Sequence, residues 1–207
     1  GDGLYATFEV RTVDVIQGFG SDGRVYTVPV SELPGARGDG SPLTSFVNLA
    51  TGSQMVAYYS GQPDDLVLLS TKAGYGFLAN VSDMSTRNKA GKSFISIDAK
   101  VPGDAPLGAA KVQVGMKQVA CLSEASKLLV FPLDELKRLP TGGKGVILMG
   151  LDDKEALASA IAVGPSGATY SGAGRAGKPT ELSLDAKTLK SFAGNRARKG
   201  HFVEPRL

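Results

Sequence analysis

The sequence predicts an all-β fold in which a unit of about four strands is repeated along the chain. Three observations indicate this: a glycine-ended loop recurs at a nearly constant interval, short runs of alternating apolar residues lie between the loops, and glycine is abundant. The loops end at Gly40, Gly91, Gly145 and Gly200, which are 51, 54 and 55 residues apart. A repeat of this length is typical of proteins that ring or stack copies of one supersecondary unit.

Glycine accounts for 27 of the 207 residues, about twice the average share of roughly 7%. The glycines are spread along the chain at apparent turns, so they indicate short strands joined by tight connections and not a disordered segment. Apolar residues make up 42% of the chain, which is enough for a packed core. No window approaches the roughly 18 consecutive apolar residues that cross a membrane, so we expect no membrane insertion.

The first unit shows the pattern most clearly. A strand over residues 14–18 is followed by Ser-Asp-Gly at residues 21–23, and Asp-Gly is a strong signal for a hairpin turn. The returning strand, residues 24–30, alternates apolar and polar side chains with period two. After the glycine-ended loop we predict two more strands, over residues 43–49 and 54–59.

The later units repeat this order of strands, turns and loops. Residues 154–160 fit a short helix or a strand, and their place in the repeat favours a strand. The predicted strands are residues 66–71, 75–81, 93–97 and 111–115 in the second unit, 119–123, 128–133, 146–151 and 158–163 in the third, and 168–171, 180–184 and 201–204 in the fourth.

Four strands per unit predict a propeller-like ring or a related spiral, because radial repetition protects sheet edges that would otherwise aggregate. We predict a single domain over residues 1–207, in which residues 1–10 supply the last strand of an upstream blade. The blades are predicted at roughly residues 11–60, 65–116, 117–163 and 167–207.

The sequence carries no strong signal for catalysis. Residues 18–23 and 172–177 match the Gly-x-Gly-x-x-Gly fingerprint of dinucleotide-binding folds, but a strand-like run follows each where that fingerprint needs a helix, so we interpret both as hairpin turns. His201 is the only histidine, which excludes a histidine-based triad or zinc site within this chain. Cys121 stands alone among apolar neighbours, which is typical of a buried thiol in a reducing cytoplasm.

The charge is distributed unevenly along the chain. The formal net charge is +3, but residues 1–65 carry a net charge of −5 and residues 66–207 a net charge of +8. Such asymmetry suggests that one sector faces a polyanion. The recurring loops and their margins hold the residues that we predict to bind DNA: Arg37, Arg87, Lys89, Lys92, Lys137, Arg138, Lys144, Lys187, Lys190, Arg196, Arg198 and Lys199.

If the units surround an axis, these loops lie along one rim at regular spacing. A regular row of cations suits the backbone of a curved duplex, where phosphates recur whatever the base sequence. No aromatic residue is interleaved with these cations, so stacking on single-stranded bases is disfavoured. The alternative that these residues leave open is a platform whose rim binds an acidic partner protein.

Several stretches resemble the C-terminal domain of the A subunit of bacterial topoisomerase IV and gyrase. The resemblance covers essentially the whole chain, and it favours topoisomerase IV because the Gln-Arg-Arg-Gly-Gly-Lys-Gly box of gyrase is absent from this sequence. The stretches that carry it are residues 23–26, 32–44, 73–77, 87–92, 130–136, 143–145 and 194–200.

The resemblance implies a β-pinwheel, a propeller-like array with about four blades in this chain. It implies a non-catalytic domain that binds and bends duplex DNA and contributes to substrate choice in decatenation and supercoil relaxation during chromosome segregation. The enzyme would be a cytoplasmic, nucleoid-associated complex of two A and two B subunits, and a gyrase A domain is the alternative within the family. ATP and Mg²⁺ would serve the holoenzyme, whose cleaving tyrosine and ATPase lie elsewhere, and the domain itself would need no cofactor or metal.

Overall fold

The computed structural model describes residues 5–35, 40–173, 179–204 and 207, and these residues form an all-β protein. Two short helices lie between strands: α1 (Val81–Met84) and α2 (Ala186–Ser191). The strands are β1 (Val15–Gly20), β2 (Arg24–Pro29), β3 (Met55–Gly61), β4 (Leu66–Thr71), β5 (Tyr75–Asn80), β6 (Lys92–Ser93), β7 (Pro106–Lys111), β8 (Gln118–Ser123), β9 (Lys127–Pro132), β10 (Val146–Ile147), β11 (Leu157–Val163), β12 (Thr169–Ala173), β13 (Pro179–Ser183) and β14 (His201–Phe202).

Each of the first three sheets takes three strands from one stretch of sequence and a fourth from the following repeat. Their strand orders are β3-β1-β2-β6, β10-β5-β4-β7 and β11-β8-β9-β14, and all neighbours are antiparallel. A fourth sheet contains β12 and β13 among the described residues. We call β6, β10 and β14 the swapped strands, because each completes the sheet of the preceding unit.

The swapped strands correct the prediction that each blade is one continuous stretch of sequence. The ranges 11–60, 65–116 and 117–163 each supply three strands of one sheet, yet each of these sheets receives its last strand from the next range. The sequence period gives the order of the strands but not their pairing. Each swapped strand has only two residues, which is too short for an alternating pattern to indicate its partner.

Three predicted strands differ from the structure. Residues 5–10, the described part of the segment assigned to an upstream blade, lie outside the strands and pack through side chains such as the Phe8 ring. Residues 43–46 form a 3₁₀ turn after Pro42, where the Ser45 hydroxyl donates to the Pro42 carbonyl at 2.7 Å. The strand expected at residues 111–115 is β7, five residues earlier, where small side chains weaken the alternating pattern.

The predicted hairpin turns are present between the first two strands of each complete sheet. Their last residue adopts a positive φ at Gly23 (86°), Gly74 (91°) and Ser126 (60°), which places these three residues at equivalent positions. At Gly23 the requirement is also steric, because a Cβ would lie 1.8 Å from the Ile95 carbonyl oxygen of the next unit. The second Gly-rich turn, residues 174–177, lies outside the described residues.

The core is divided among the gaps between neighbouring sheets. Phe19 and Ala57 of the first sheet pack with Leu69 and Phe77 of the second in one cluster. Further clusters join the second sheet to the third and the third to the hairpin of β12 and β13. Each sheet therefore buries its apolar surface against a neighbour, as expected for units too small to fold alone.

Candidate nucleic-acid interface

The loops that carry the predicted cations run directly into the swapped strands. Each loop ends at a glycine, Gly91, Gly145 or Gly200, and the swapped strand begins at the next residue. A Cβ at Gly145 would lie 2.1 Å from the Gly76 carbonyl oxygen, and one at Gly200 would lie 2.7 Å from that of Leu128. Glycine is required here because the loop backbone approaches the second strand of the preceding sheet this closely.

Neighbouring loops are hydrogen-bonded to each other in an unbroken series. In each case an amide in the segment after one swapped strand, or its counterpart in the first unit, donates to a carbonyl in the cation-bearing loop of the next unit. The three bonds are Asn48 N–H to Lys89 O (2.8 Å), Ser96 N–H to Gly143 O (3.0 Å) and Gly150 N–H to Arg198 O (2.9 Å). The predicted basic loops of the second, third and fourth units therefore form one line across the molecule.

These bonds also set the correspondence between units. Lys144 and Lys199 are equivalent, because each immediately precedes the glycine before a swapped strand, and the residue at this position of the second unit is Ala90. Lys92 lies two residues further along, inside β6. The three lysines are therefore not one repeated position, contrary to the equivalence suggested by the sequence loops.

Lys144 and Lys199 both form ion pairs with an aspartate of the preceding unit. The Lys144 ammonium lies 3.0 Å from Asp98, and Lys199 pairs with Asp152, which Lys127 also contacts. The hydrogen bond from Lys144 lowers the pKa of Asp98, and bonds from Lys127 and Lys199 lower the pKa of Asp152 to about 2. Both aspartates are therefore ionised at neutral pH, and they neutralise two of the predicted DNA-binding cations.

Arg138 and Lys92 converge on Asp83 in α1. The Arg138 guanidinium makes two bonds to the Asp83 carboxylate, at 2.9 and 2.7 Å, and this hydrogen bonding lowers the pKa of Asp83. The Lys92 ammonium donates to the Asp83 backbone carbonyl at 2.7 Å and lies over the Phe94 ring. Both side chains thus join neighbouring segments of the protein, which limits their availability to phosphate.

Arg196 has a structural role in this conformation. It is half-buried, and its Nη1 donates to the Ile147 carbonyl of β10 at 2.7 Å. Its backbone N–H donates to the Glu135 carboxylate at 3.2 Å. Its Nε is buried without a hydrogen-bond partner in the described part of the chain.

The remaining predicted cations within the described ranges are exposed and form no ion pair there. Arg87 and Lys89 line a cavity of about 570 Å³, which also contains Glu32 and Phe46. Lys187 and Lys190 project from α2, and Lys190 lines a similar cavity of about 630 Å³ next to β8. The other two exposed cations of this group are Lys137 and Arg198. Arg37 lies outside the described residues.

Sequence reasoning missed one position that shapes every swapped-strand junction. The first residue of β2, β5 and β9 follows the positive-φ turn residue and contacts the incoming loop. Arg24 donates to the carbonyls of Ala90 (2.9 Å) and Gly91 (3.0 Å), Lys144 lies 4.2 Å from the centre of the Tyr75 ring, and Lys127 pairs with Asp152 and Glu155. The signal was the fixed position of these residues after the turn.

The described residues contain no group of three or more His, Cys, Asp or Glu side chains arranged to hold a metal ion. Within the same ranges, no helix is both long and apolar enough to cross a bilayer. Burial raises the pKa of the Cys121 thiol, which is fully enclosed in the cluster between the second and third sheets. That environment makes Cys121 a packing residue and a poor nucleophile.

The fold and its basic loops define a propeller-like domain of strand-swapped blades. The sequence profile of one family, the DNA gyrase C-terminal domain (beta-propeller), matches residues 19–51, 65–104 and 117–163, more than half of the chain. The chain belongs to this family. The resemblance noted from the sequence and the all-β, propeller-like fold are thereby confirmed.

The relatives include the A subunit of DNA topoisomerase 4 from Neisseria gonorrhoeae, which is 32% identical over 179 residues, 85% of this chain and 23% of the relative. The protein of the same name from Pseudomonas aeruginosa is 32% identical over 206 residues, 97% of this chain and 26% of the relative. The chain thus spans about a quarter of the length of these relatives.

Solved structures show the same architecture. The C-terminal domain of E. coli ParC aligns with a TM-score of 0.79 at 25% identity, covering 95% of this chain and 79% of that domain. A DNA gyrase A C-terminal domain aligns with a TM-score of 0.71 at 19% identity, covering 93% of this chain and 60% of that one, and at this identity it supports the fold alone.

Proposed function

We propose that this chain is a non-catalytic domain that binds and bends duplex DNA within the A subunit of a topoisomerase IV. The observation that carries the proposal is the line of basic loops in the second, third and fourth units, joined by the Ser96 and Gly150 hydrogen bonds. Exposed cations without acidic partners, such as Arg87, Lys89 and Arg198, lie in these loops. Positive charge at intervals along a rim suits contacts to successive phosphates, which need no base-specific geometry.

The proposal extends to the enzyme that would contain the domain. Cleavage of both DNA strands and ATP hydrolysis with Mg²⁺ would belong to other parts of an assembly of two A and two B subunits. The domain would hold DNA without a cofactor of its own and contribute to substrate choice in decatenation and supercoil relaxation. The family and the names of the relatives support this extension.

Binding of random-sequence duplex at increasing salt tests the proposal. We expect log affinity to fall linearly with log salt, with a slope of about −0.9 for each phosphate neutralised. The double variant Arg87→Gln/Lys89→Gln should bind several-fold more weakly and reduce the magnitude of the slope by up to about 1.8, because two phosphate contacts are lost. A fluorescence anisotropy titration measures both quantities.

The matched control is Lys72→Gln/Lys100→Gln, which removes the same charge from exposed lysines. Lys72 and Lys100 line a groove with Glu124, Asp152 and Asp153, a setting unsuited to phosphate. This control should bind DNA like the unaltered chain. A flat salt dependence, or equal losses in the two double variants, would overturn DNA binding along this rim. Heparin binding without DNA binding would favour the acidic-protein platform instead.

A further inference from the structure

Two aspartates occupy equivalent positions in successive units and hold equivalent lysines. Asp98 follows the swapped strand β6 and pairs with Lys144, while Asp152 follows β10 and pairs with Lys199. The aspartates are 54 residues apart and the lysines 55 residues apart, so the pair is a repeated feature of the fold. In the first unit the corresponding position is Ala50, opposite Ala90, and the pair is missing there.

Both lysines remain accessible to solvent while paired. The Lys144 side chain is 43% exposed and the Lys199 side chain is 66% exposed. A phosphate oxygen can therefore reach either ammonium without unfolding of the junction. Because a carboxylate and a phosphate are both anionic acceptors for the same donor, they compete for it, and a lysine that gains a phosphate gives up much of its ion pair.

The fold does not depend on the negative charge of these two aspartates. The Oδ1 atom of Asp98 accepts the Lys100 N–H at 3.0 Å, and an asparagine can accept the same bond. Asp152 shares Lys127 with Glu155, so Lys127 keeps an acidic partner when Asp152 is neutral. Glu155 also accepts the backbone N–H of residue 152 at 2.9 Å, which fixes this loop independently of the Asp152 side chain.

We propose that Asp98 and Asp152 limit the affinity of the domain for duplex DNA by competing with phosphate for Lys144 and Lys199. This inference rests on the proposed function. The two aspartates reduce the net attraction of the third and fourth units for DNA, which favours release. The first junction, without such an aspartate, carries no comparable restraint.

The test compares duplex binding by the 207-residue chain and its Asp98→Asn, Asp152→Asn and Asp153→Asn variants. Asp153 is the control, because it is exposed next to Asp152, loses the same charge on substitution and forms no ion pair with the described residues. We expect Asp98→Asn and Asp152→Asn each to bind about 3- to 10-fold more tightly at 100 mM salt, with a slope steeper by about 0.9, since each frees one cation for phosphate. Asp153→Asn should change affinity by less than about twofold.

A second comparison separates competition from a general charge effect. Adding Lys144→Gln to Asp98→Asn should abolish the gain in affinity, since the freed cation is then absent. Equal tightening by Asp152→Asn and Asp153→Asn, or no tightening by either pair mutant in a folded protein, would overturn the inference. In both cases a salt-dependent affinity of the unaltered chain would leave the proposed function standing, and circular dichroism confirms that each variant is folded.

Discussion

The Asp152 carboxylate connects two residues that are distant in sequence. Lys127, at the start of β9, and Lys199, before β14, both bond to it and lower its pKa to about 2, below the ordinary value of about 3.9. A group whose pKa is depressed in the folded state stabilises the fold above its unfolded value. That contribution is lost as the pH falls from about 4 through about 2.

Asp152→Asn should therefore flatten the acid dependence of stability. At pH 7 we expect a lower melting temperature than that of the unaltered chain, because two bonds to an ionised group are weakened. Between pH 5 and pH 2 the variant should lose less thermal stability, since it has no carboxylate at residue 152 to protonate. Thermal melts followed by circular dichroism at several pH values measure this. Asp153→Asn serves as the control, and an equal loss in Asp152→Asn and the unaltered chain would contradict the prediction.

The swapped strands show where reasoning from the sequence reaches its limit. Hairpins such as β1–β2 were predictable because the turn and both strands lie within about 16 residues and carry local turn signals. Pairing of β6 with β2 joins residues 24 and 93, and no local pattern specifies such a distant partner. The loop cations were visible as a set, but their carboxylate partners were not, although the matched spacings of Asp98–Asp152 and Lys144–Lys199 held that information.

The glycine before a swapped strand gives the test at the level of the element. Gly145→Ala should lower the free energy of unfolding by about 3 kcal/mol, because positive φ strain adds to a contact of 2.1 Å with the Gly76 carbonyl oxygen. Gly103 has nearly the same φ, 76° against 77°, but open space around its Cβ position. Gly103→Ala should therefore cost only about 1 kcal/mol. Urea unfolding measures both values, and equal costs would show that the loop does not approach the strand this closely.

Across the whole molecule, stability resides in the gaps between sheets. Leu148, fully buried next to the swapped strand β10, packs in the cluster that also contains Leu68 of the second sheet and Phe131 of the third. A cavity at Leu148 removes contacts from two blades at once. Adjacent blades should thus unfold together and not one after another.

Leu148→Ala should destabilise the protein by about 2–5 kcal/mol, the usual cost of a leucine-sized cavity. Val146→Ala, at a position 37% exposed in the edge strand β10, is the nearby control and should cost about 1 kcal/mol or less. Labelling of the Cys121 thiol reports opening of the same cluster, since the side chain is fully buried. Its rate should rise strongly in Leu148→Ala alone, and unchanged labelling would argue against a shared core.

Strand donation from repeat to repeat also has a topological cost. In any linear run of such units, each sheet is a recipient and each later repeat is a donor, so the number of recipients exceeds the number of donors by one. Trimming a repeat from the array moves the unfinished hairpin to the previous unit without removing it. A truncation series should therefore retain, at every step, a terminal hairpin with open backbone groups and a tendency to associate through them.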